Sequence, residues 1–173
     1  ESLAGRFIRT LIFPLSLSEW RQVRSFTESD YLEWGGMPGL VRLKRDGDRA
    51  DLLNNILSTY ITKDIKGLIK EENVRAFNTL LYLLAQSQGS IATASNLARE
   101  TGLSESTVAR HLEVMSQTYV LHGLASYSTN MANELKKSKK YYLFDLGIRN
   151  ALLKDYRPAP ERQDKGVLHE TAV

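Results

Sequence analysis

Two groups of side chains could do chemistry, and both suggest contact with nucleic acid. The first lies on a segment with helical periodicity, and its members can hydrogen-bond to base edges in a DNA major groove. They are Ser106, Thr107, Arg110 and His111. The second is a dense cluster of ammonium groups, which can contact phosphates or can simply be the solvated surface of a turn. It consists of Lys136, Lys137, Lys139 and Lys140.

The first group is positioned by a predicted helix-turn-helix. Such a motif needs a small residue where two helices cross, a glycine with positive φ at the turn, and a β-branched residue facing the core. Ala98, Gly102 and Val108 have this spacing, and Ser104 is placed to cap the second helix. We therefore predict helices over about 94–101 and 105–118.

The surrounding elements extend this motif to a winged helix. A helical pattern covers 74–88, and β-prone segments follow at Tyr119–Tyr127 and Lys140–Phe144. The lysine cluster adjoins the second β-prone segment and would belong to the wing. A last short helix is predicted over Leu146–Leu153, with Asp145 as its cap. Residues 155–166 are predicted to be a loop or linker.

The distribution of charge does not decide whether this winged helix contacts nucleic acid. The 173 residues have a net charge of +3, and residues 131–173, with nine basic and six acidic side chains, account for all of it. Residues 90–130 contain two basic and three acidic side chains. Because phosphate contacts usually supply much of the affinity for DNA, the motif serves either nucleic-acid contact through the wing or packing and protein contacts.

The N-terminal part of the sequence is predicted to be a strand followed by helices. An apolar, β-branched run over 7–13 indicates a buried strand that stops at Pro14. Ser16 and Glu19 have the spacing of a capping box at a helix start. Further helices are predicted over Ser29–Trp34 and Ala50–Leu68, separated by a glycine-rich loop over 35–39.

Several kinds of chemistry are excluded or receive no support. The chain has no cysteine, which excludes disulfides and thiolate metal sites, and its histidines, His111, His122 and His169, are dispersed. It contains neither a Gly-x-x-x-x-Gly-Lys-Ser/Thr loop nor a Gly-x-Gly-x-x-Gly motif. No apolar run suits a membrane span, and no export signal is visible, so a cytoplasmic location is expected. These features favour a binding or relay module.

As a set, segments along nearly the whole chain resemble one family. The sequence is similar to predicted AAA-type P-loop ATPases of bacteria and archaea that carry a C-terminal domain of unknown function. The segments that carry this resemblance are Leu3-Ala4-Gly5-Arg6, Pro14 to Trp20, Gly35-Gly36-Met37-Pro38, Tyr60 to Ile65, Ser106-Thr107-Val108, Lys140 to Asn150, and Gly166 to Glu170.

The resemblance implies a domain organisation. Residues 1–13 would hold the last strand of an ATPase core, 14–72 a helical lid, and 73–153 the winged helix. Residues 154–173 would be a linker and the start of a truncated nuclease-like domain. The nucleotide-binding core would lie before Glu1, which begins like the interior of a larger protein, so we expect an internal fragment. ATP and Mg²⁺ would bind the parent protein and no cofactor would bind this fragment.

Two site residues follow from the resemblance alone. Arg6 would lie where AAA-type proteins often place an arginine finger, whose guanidinium stabilises charge on a γ-phosphate; the alternative is that it anchors the strand by hydrogen bonds. Glu170 would correspond to a glutamate at the start of the nuclease-like domain, where a carboxylate can bind a divalent metal. Here His169 and Thr171 depart from the usual pattern of that stretch.

The sequence therefore predicts a mostly α protein: a helical lid followed by a winged helix-turn-helix with a small β-wing. Its expected role is to relay the nucleotide state of an AAA-type ATPase to a partner, with DNA as one candidate. The ATPase core and a second copy of the chain are further expected partners. The alternative is a winged-helix transcription regulator in which residues 1–70 form a sensing or dimerisation domain.

Overall fold

The computed structural model describes residues 10–23, 26–69, 74–125 and 138–172, and within them helices dominate. A small antiparallel sheet has the strand order β1-β3-β2. This architecture confirms the prediction of a mostly α fold with a small β element. The helices are α1 (Leu17–Trp20), α2 (Glu28–Trp34), α3 (Asp46–Thr59), α4 (Lys66–Leu68), α5 (Val74–Gln86), α6 (Ala94–Thr101), α7 (Glu105–Gln117), α8 (Leu146–Leu153) and α9 (Lys165–Ala172). The strands are β1 (Ile91–Ala92), β2 (Leu121–Ala125) and β3 (Lys139–Leu143).

Local capping residues set several helix starts. The predicted capping box at α1 is confirmed: Ser16 Oγ accepts from the Glu19 amide at 3.3 Å, and Glu19 accepts from the Ser16 amide at 2.8 Å. The predicted cap of α8 is also confirmed, since Asp145 accepts from the Ile148 amide at 2.9 Å. These contacts satisfy amide groups that have no partner within a first helical turn.

The helix predicted over 50–68 differs from the observed one. α3 begins earlier, at Asp46, and ends at Thr59, after which Tyr60–Ile65 forms a π-helical segment before α4. The Tyr60 side chain is buried, and its hydroxyl lies 2.9 Å from the Thr118 hydroxyl at the end of α7. Through this hydroxyl contact the π-helical segment connects the N-terminal helices to α7. Hydropathy periodicity does not reveal such a segment.

Residues 10–13 do not form the predicted strand. They have no regular structure, and Leu11, Ile12 and Phe13 are 50%, 88% and 51% exposed. The Phe13 ring stacks on Phe144 at a centroid separation of 5.7 Å. The prediction of a buried strand is therefore wrong for these four residues. An apolar run becomes a strand only where neighbouring strands are available to pair with it. Residues 7–9 lie outside the described part.

One hydrophobic core crosses the predicted boundary at residues 72 and 73. The core includes Trp20, Trp34 and Leu53 from the N-terminal helices together with Phe77 and Val108 from α5 and α7. At its centre α8 packs against α2, α3 and α5. The predicted division into a helical unit and a second unit therefore does not separate two cores.

Polar contacts fix α8 at this joint. The buried Asn150 amide donates to the carbonyls of Leu32 and Glu33 at 2.9 and 2.8 Å. Arg149 donates to the Ala85 carbonyl at 3.0 Å, and its side chain is 1% exposed. The buried side chains of Asn150 and Arg149 thus have hydrogen-bond partners, and α8 is held to both α2 and α5 by directional bonds.

The predicted loop over 155–166 is partly ordered around ion pairs. It contains a 3₁₀ turn at Ala159–Glu161, and the buried Arg162 donates to Asp164 at 2.7 Å and to Asn150 at 2.9 Å. Asp164 also accepts from Arg149 at 2.7 Å, and these two arginines hold the pKa of Asp164 well below its usual range. This network leads into α9, which packs against α2 and α8.

The sheet lies beside α5 and α7, and its register places β3 in the centre. β2 pairs with β3 from Leu121 opposite Leu143 to Ala125 opposite Lys139, and β1 pairs on the other side of β3. Among the helices of the described residues, none has both the length and the apolar character needed to cross a membrane.

Candidate functional site

The turn between α6 and α7 has the geometry that the sequence predicted. Ala98 and Val108 are buried, and Gly102 adopts the left-handed conformation with φ 71°. Ser104 Oγ accepts from the Thr107 amide at 3.2 Å and so caps α7. A glycine is required at the turn because the left-handed region is unfavourable for residues with a Cβ.

The solvent-facing surface of α7 carries only part of the predicted base-reading set. Ser106 and Arg110 are exposed, whereas Thr107 is half-buried and its hydroxyl lies 2.8 Å from Ser104 Oγ. Glu105 and Glu113 are exposed on the same helix. This surface is therefore mixed in charge.

The prediction that His111 lies on the exposed face is wrong. His111 is 2% exposed and packs edge-on against Phe77 at 5.4 Å between ring centroids. Within the described residues neither ring nitrogen has a hydrogen-bond partner. Burial, assisted by the nearby Arg110 charge, lowers the pKa of His111. A neutral imidazole in the core cannot reach a base edge.

The predicted lysine cluster is seen only in part. Lys136 and Lys137 lie outside the described residues. Lys139 is half-buried on β3, and the Lys140 ammonium forms an ion pair with Glu170 at 3.1 Å. Glu170 raises the pKa of Lys140, so the ammonium is charged but already has a carboxylate partner.

Glu170, the predicted metal ligand, lies on α9 facing the sheet. Its carboxylate accepts from the Tyr142 hydroxyl at 2.5 Å as well as from Lys140, and these bonds lower the pKa of Glu170. Nowhere in the described ranges do three or more acidic or histidine side chains gather as a metal site would require. The geometry gives Glu170 a role in docking α9 onto β3. Arg6, the predicted arginine finger, lies outside the described residues.

Two glycine-containing segments that are distant in sequence meet at Asp145. The Gly36 amide donates to the Asp145 carboxylate at 2.7 Å across 109 positions of the chain. A Cβ on Gly147 would lie 1.8 Å from the Trp34 carbonyl oxygen, and one on Gly35 would lie 2.4 Å from the Asp145 carboxylate. Burial raises the pKa of Asp145 to about 6 against the opposing effect of the Gly36 and Ile148 amides. This contact locks the loop after α2 onto the start of α8.

A polar cleft of about 490 Å³ separates α7 from the sheet. It contains one acidic and one basic side chain, Glu113 and Lys139, together with hydroxyls from Thr93, Ser116 and Ser138. The arrangement can receive hydrogen-bonding groups between the second helix of the turn motif and the strands.

A second cavity, of about 470 Å³, lies where the N-terminal helices meet α7 and α8. Its walls are mostly apolar, and its volume lies in the range of small-molecule pockets. Sequence reasoning missed it, because its residues come from several elements and share no motif. The lining residues are Met37, Asn55, Ile56, Leu57, Thr59, Tyr60, Asp64, Thr118, Tyr119, Val120, Phe144, Asp145 and Ile148.

Comparison with known proteins places these features in a family. A family model described as a domain of unknown function, DUF8612, matches residues 26–158. An uncharacterized protein of Haemophilus influenzae is 20% identical over 161 residues, which cover 85% of this chain and 40% of the relative. Uncharacterized proteins of Mycobacterium bovis and Mycobacterium tuberculosis are each 26% identical over 166 residues, covering 95% of this chain and 37% of the relative. The chain thus spans about two fifths of the length of these relatives. No solved structure matches it significantly.

Proposed function

The chain belongs to the DUF8612 family of domains of unknown function, and on that premise we propose that it is the relay module of an AAA-type P-loop ATPase. In this proposal the N-terminal helices form the lid of a nucleotide-binding core. The helix-turn-helix and the sheet form a winged helix that contacts a partner. The observation that carries the proposal is the single packed joint at α8.

The joint suits a relay because α8 contacts both sides of the molecule. It packs against α2 and α3 on one side and against α5 on the other. Asn150 bonds to the backbone of α2, and Arg149 bonds to the backbone of α5. Protein interiors are close-packed and transmit displacement rather than absorb it. A lid movement driven by nucleotide would therefore carry α5 and the turn motif with it.

The arrangement around the turn supports the winged-helix part of the proposal. α5 precedes the pair α6 and α7, and β2 and β3 then form an antiparallel ladder beside them. The lysine cluster falls between or on these strands, where a wing would be.

The lengths of the relatives support a larger parent over a free-standing regulator. About three fifths of each named relative lies outside the region that matches this chain. That length leaves room in those proteins for a nucleotide-binding core.

The partner surface in this proposal is the exposed face of α7. Its mixed charge, together with the ion pair that engages Lys140, favours a partner bound without strong dependence on phosphate contacts. A DNA partner would instead require the wing lysines to dominate and the affinity to fall steeply with salt.

The first test is to read the coding sequence upstream of Glu1. The proposal expects a Gly-x-x-x-x-Gly-Lys-Ser/Thr motif there, followed by the remaining parts of a nucleotide-binding core. A start codon close upstream would favour the regulator and contradict the proposal. As a biochemical companion, the full-length protein should hydrolyse ATP, whereas stoichiometric ATPase activity of the purified 173-residue chain would refute the relay assignment.

The second test measures rigidity across the joint. The 173 residues contain no cysteine, so Asp51→Cys on α3 and Arg110→Cys on α7 give two thiols for spin labels in this part of the protein, and any cysteine elsewhere in the full-length protein is replaced by serine. Both positions are exposed. A rigid relay gives one narrow distance distribution that does not change when ATP is added to the full-length protein. Two populations, or a distance that changes with nucleotide, would show that the two sides move independently.

A further inference from the structure

The cavity of about 470 Å³ has a volume in the range of small-molecule sites, and its lining is mostly apolar. It opens between the π-helical segment after α3, the connection from α7 to β2, and the start of α8. Pockets of this size, formed where separate structural units meet, commonly take small molecules. It is distinct from the partner face on α7 and from the cleft beside the sheet.

Two of the residues that line the cavity, Tyr60 and Tyr119, lie where α3 and α7 end. Tyr60 begins the π-helical segment, and π segments within helices occur frequently at functional sites. Tyr119 has φ 58°, the left-handed conformation in which many helices end, and the next amide, of Val120, closes α7 by donating to the Met115 carbonyl at 3.0 Å. Both side chains line the cavity.

The lining selects for an apolar ligand with an aromatic face. Ile56, Val120 and Ile148 contribute aliphatic walls, and Phe144 contributes a ring on which Phe13 already stacks from one side at 5.7 Å between centroids. Tyr119 meets this ring edge-on at 6.4 Å between centroids. Flat aromatic molecules stack on such rings or meet them edge-on.

Charge in the cavity selects against acids. The ionisable side chains among its lining residues include the two carboxyl groups of Asp64 and Asp145, and the described lining contains no lysine, arginine or histidine. A ligand anion would therefore enter without a cationic partner and would face acidic groups, which is unfavourable in an apolar site. The hydroxyl pair of Tyr60 and Thr118, 2.9 Å apart, remains as a polar contact at the wall.

We propose that this cavity binds a small, flat, largely apolar molecule without negative charge, which packs an aromatic ring against Phe144. The walls come from the N-terminal helices on one side and from α7, β2 and α8 on the other. Binding therefore stabilises the joint between them. The inference does not depend on the ATPase assignment, since the cavity belongs to the chain itself.

A pair of fluorescent probes tests both parts of the proposal. N-phenylnaphthylamine is flat, aromatic and uncharged, and anilinonaphthalene sulfonate adds one sulfonate to a similar skeleton. The wild-type chain should bind the uncharged probe saturably, with one site per chain, and should bind the sulfonate at least about tenfold more weakly. Equal or tighter binding of the sulfonate, or absence of saturable binding of the uncharged probe, would overturn the proposal.

Matched tryptophan variants locate the site. Ile56→Trp fills the cavity and should weaken binding of the uncharged probe by about tenfold or more. Ile91→Trp makes the same change at a position on β1 that is 67% exposed and is not among the lining residues, and it should leave the affinity unchanged. Equal affinities for the two variants would place the probe elsewhere and refute the site.

A second variant covers the case in which Ile56→Trp does not fold, which circular dichroism and a melting curve reveal. Phe144→Leu keeps an apolar wall but removes the aromatic ring. Its affinity for the uncharged probe should fall several-fold while the melting temperature in the presence of probe rises less than in the wild type. Unchanged affinity would contradict the role assigned to Phe144.

Discussion

Replacing Asn150 with alanine tests whether α8 joins the two sides of the molecule. Asn150 is 0% exposed and makes three hydrogen bonds: two to the carbonyls of Leu32 and Glu33, and one accepted from Arg162 at 2.9 Å. Alanine removes all three and leaves two buried carbonyls and part of a buried guanidinium without their partner. The control is Asn78→Ala on the exposed face of α5.

The expected loss in the free energy of unfolding follows from these three hydrogen bonds. Neutral hydrogen bonds contribute about 0.5–1.5 kcal/mol each, and one to a charged group contributes about 1.5–3 kcal/mol. Asn150→Ala should therefore lower the free energy of unfolding by about 3–5 kcal/mol, a large part of the 5–15 kcal/mol of a typical domain. At about 2–4 °C per kcal/mol for a chain of this size, the melting temperature should fall by roughly 6–20 °C. Asn78→Ala should change the stability by less than about 0.5 kcal/mol.

The assay is urea and thermal unfolding, followed by helical circular dichroism and by tryptophan fluorescence. Both tryptophans, Trp20 and Trp34, lie in the N-terminal helices, whereas circular dichroism reports on all helices. With one shared core the two signals should change together, and both should shift in Asn150→Ala. Two separate transitions, of which the variant moves only one, would refute the single core and with it the reasoning about the joint.

Three further perturbations probe the contacts described above. Folding lowers the pKa of His111, because burial favours the neutral imidazole. The contribution of His111 to the free energy of unfolding is therefore complete above the unfolded pKa of about 6.5, and it is lost as the pH falls below that value. His111→Phe should weaken this pH dependence, measured as the difference in unfolding free energy between about pH 7.5 and pH 5.5; an identical difference in both proteins would refute the assignment. Gly147→Ala would place a Cβ 1.8 Å from a backbone oxygen of α2 and should prevent native folding, whereas Gly166→Ala in α9 meets nothing within 4 Å and should stabilise by about 0.5–1 kcal/mol. Circular dichroism and melting curves distinguish these outcomes, and equal melting temperatures would contradict the close approach. Glu170→Gln should free Lys140 and, if DNA is the partner, tighten binding at low salt in a fluorescence anisotropy titration; no gain would count against a phosphate contact by Lys140.

Several local features were predictable because neighbouring residues decide them. The helix start at Ser16, the cap at Ser104 and the turn at Gly102 each depend on atoms within a few positions of the chain. The periodicity of apolar residues likewise predicted α5, and the helix predicted after the Asp145 cap has the observed bounds of α8. The mostly helical fold with a small sheet follows from these elements.

Other predictions failed because they depended on what packs against an element. His111 was expected on the exposed face because its side chain is polar. It lies three residues after Val108 and four before Met115, so it shares their buried face of α7 and packs against Phe77 of α5. Residues 10–13 include three apolar side chains, yet no strand within the described ranges pairs with them. The π-helical segment at Tyr60 was not predicted either, since it has no signature in hydropathy.

By itself, the sequence determined where helices start and turn and where charge accumulates, because short-range sterics and hydrogen bonding act along the chain. Only the tertiary structure decided that the Gly36 amide donates to Asp145 and that Glu170 forms an ion pair with Lys140. It also decided that one core, with a ligand-sized cavity at its joint, spans both predicted units. These features arise between residues that are distant along the chain, and they are fixed when apolar surfaces from separate elements are buried together.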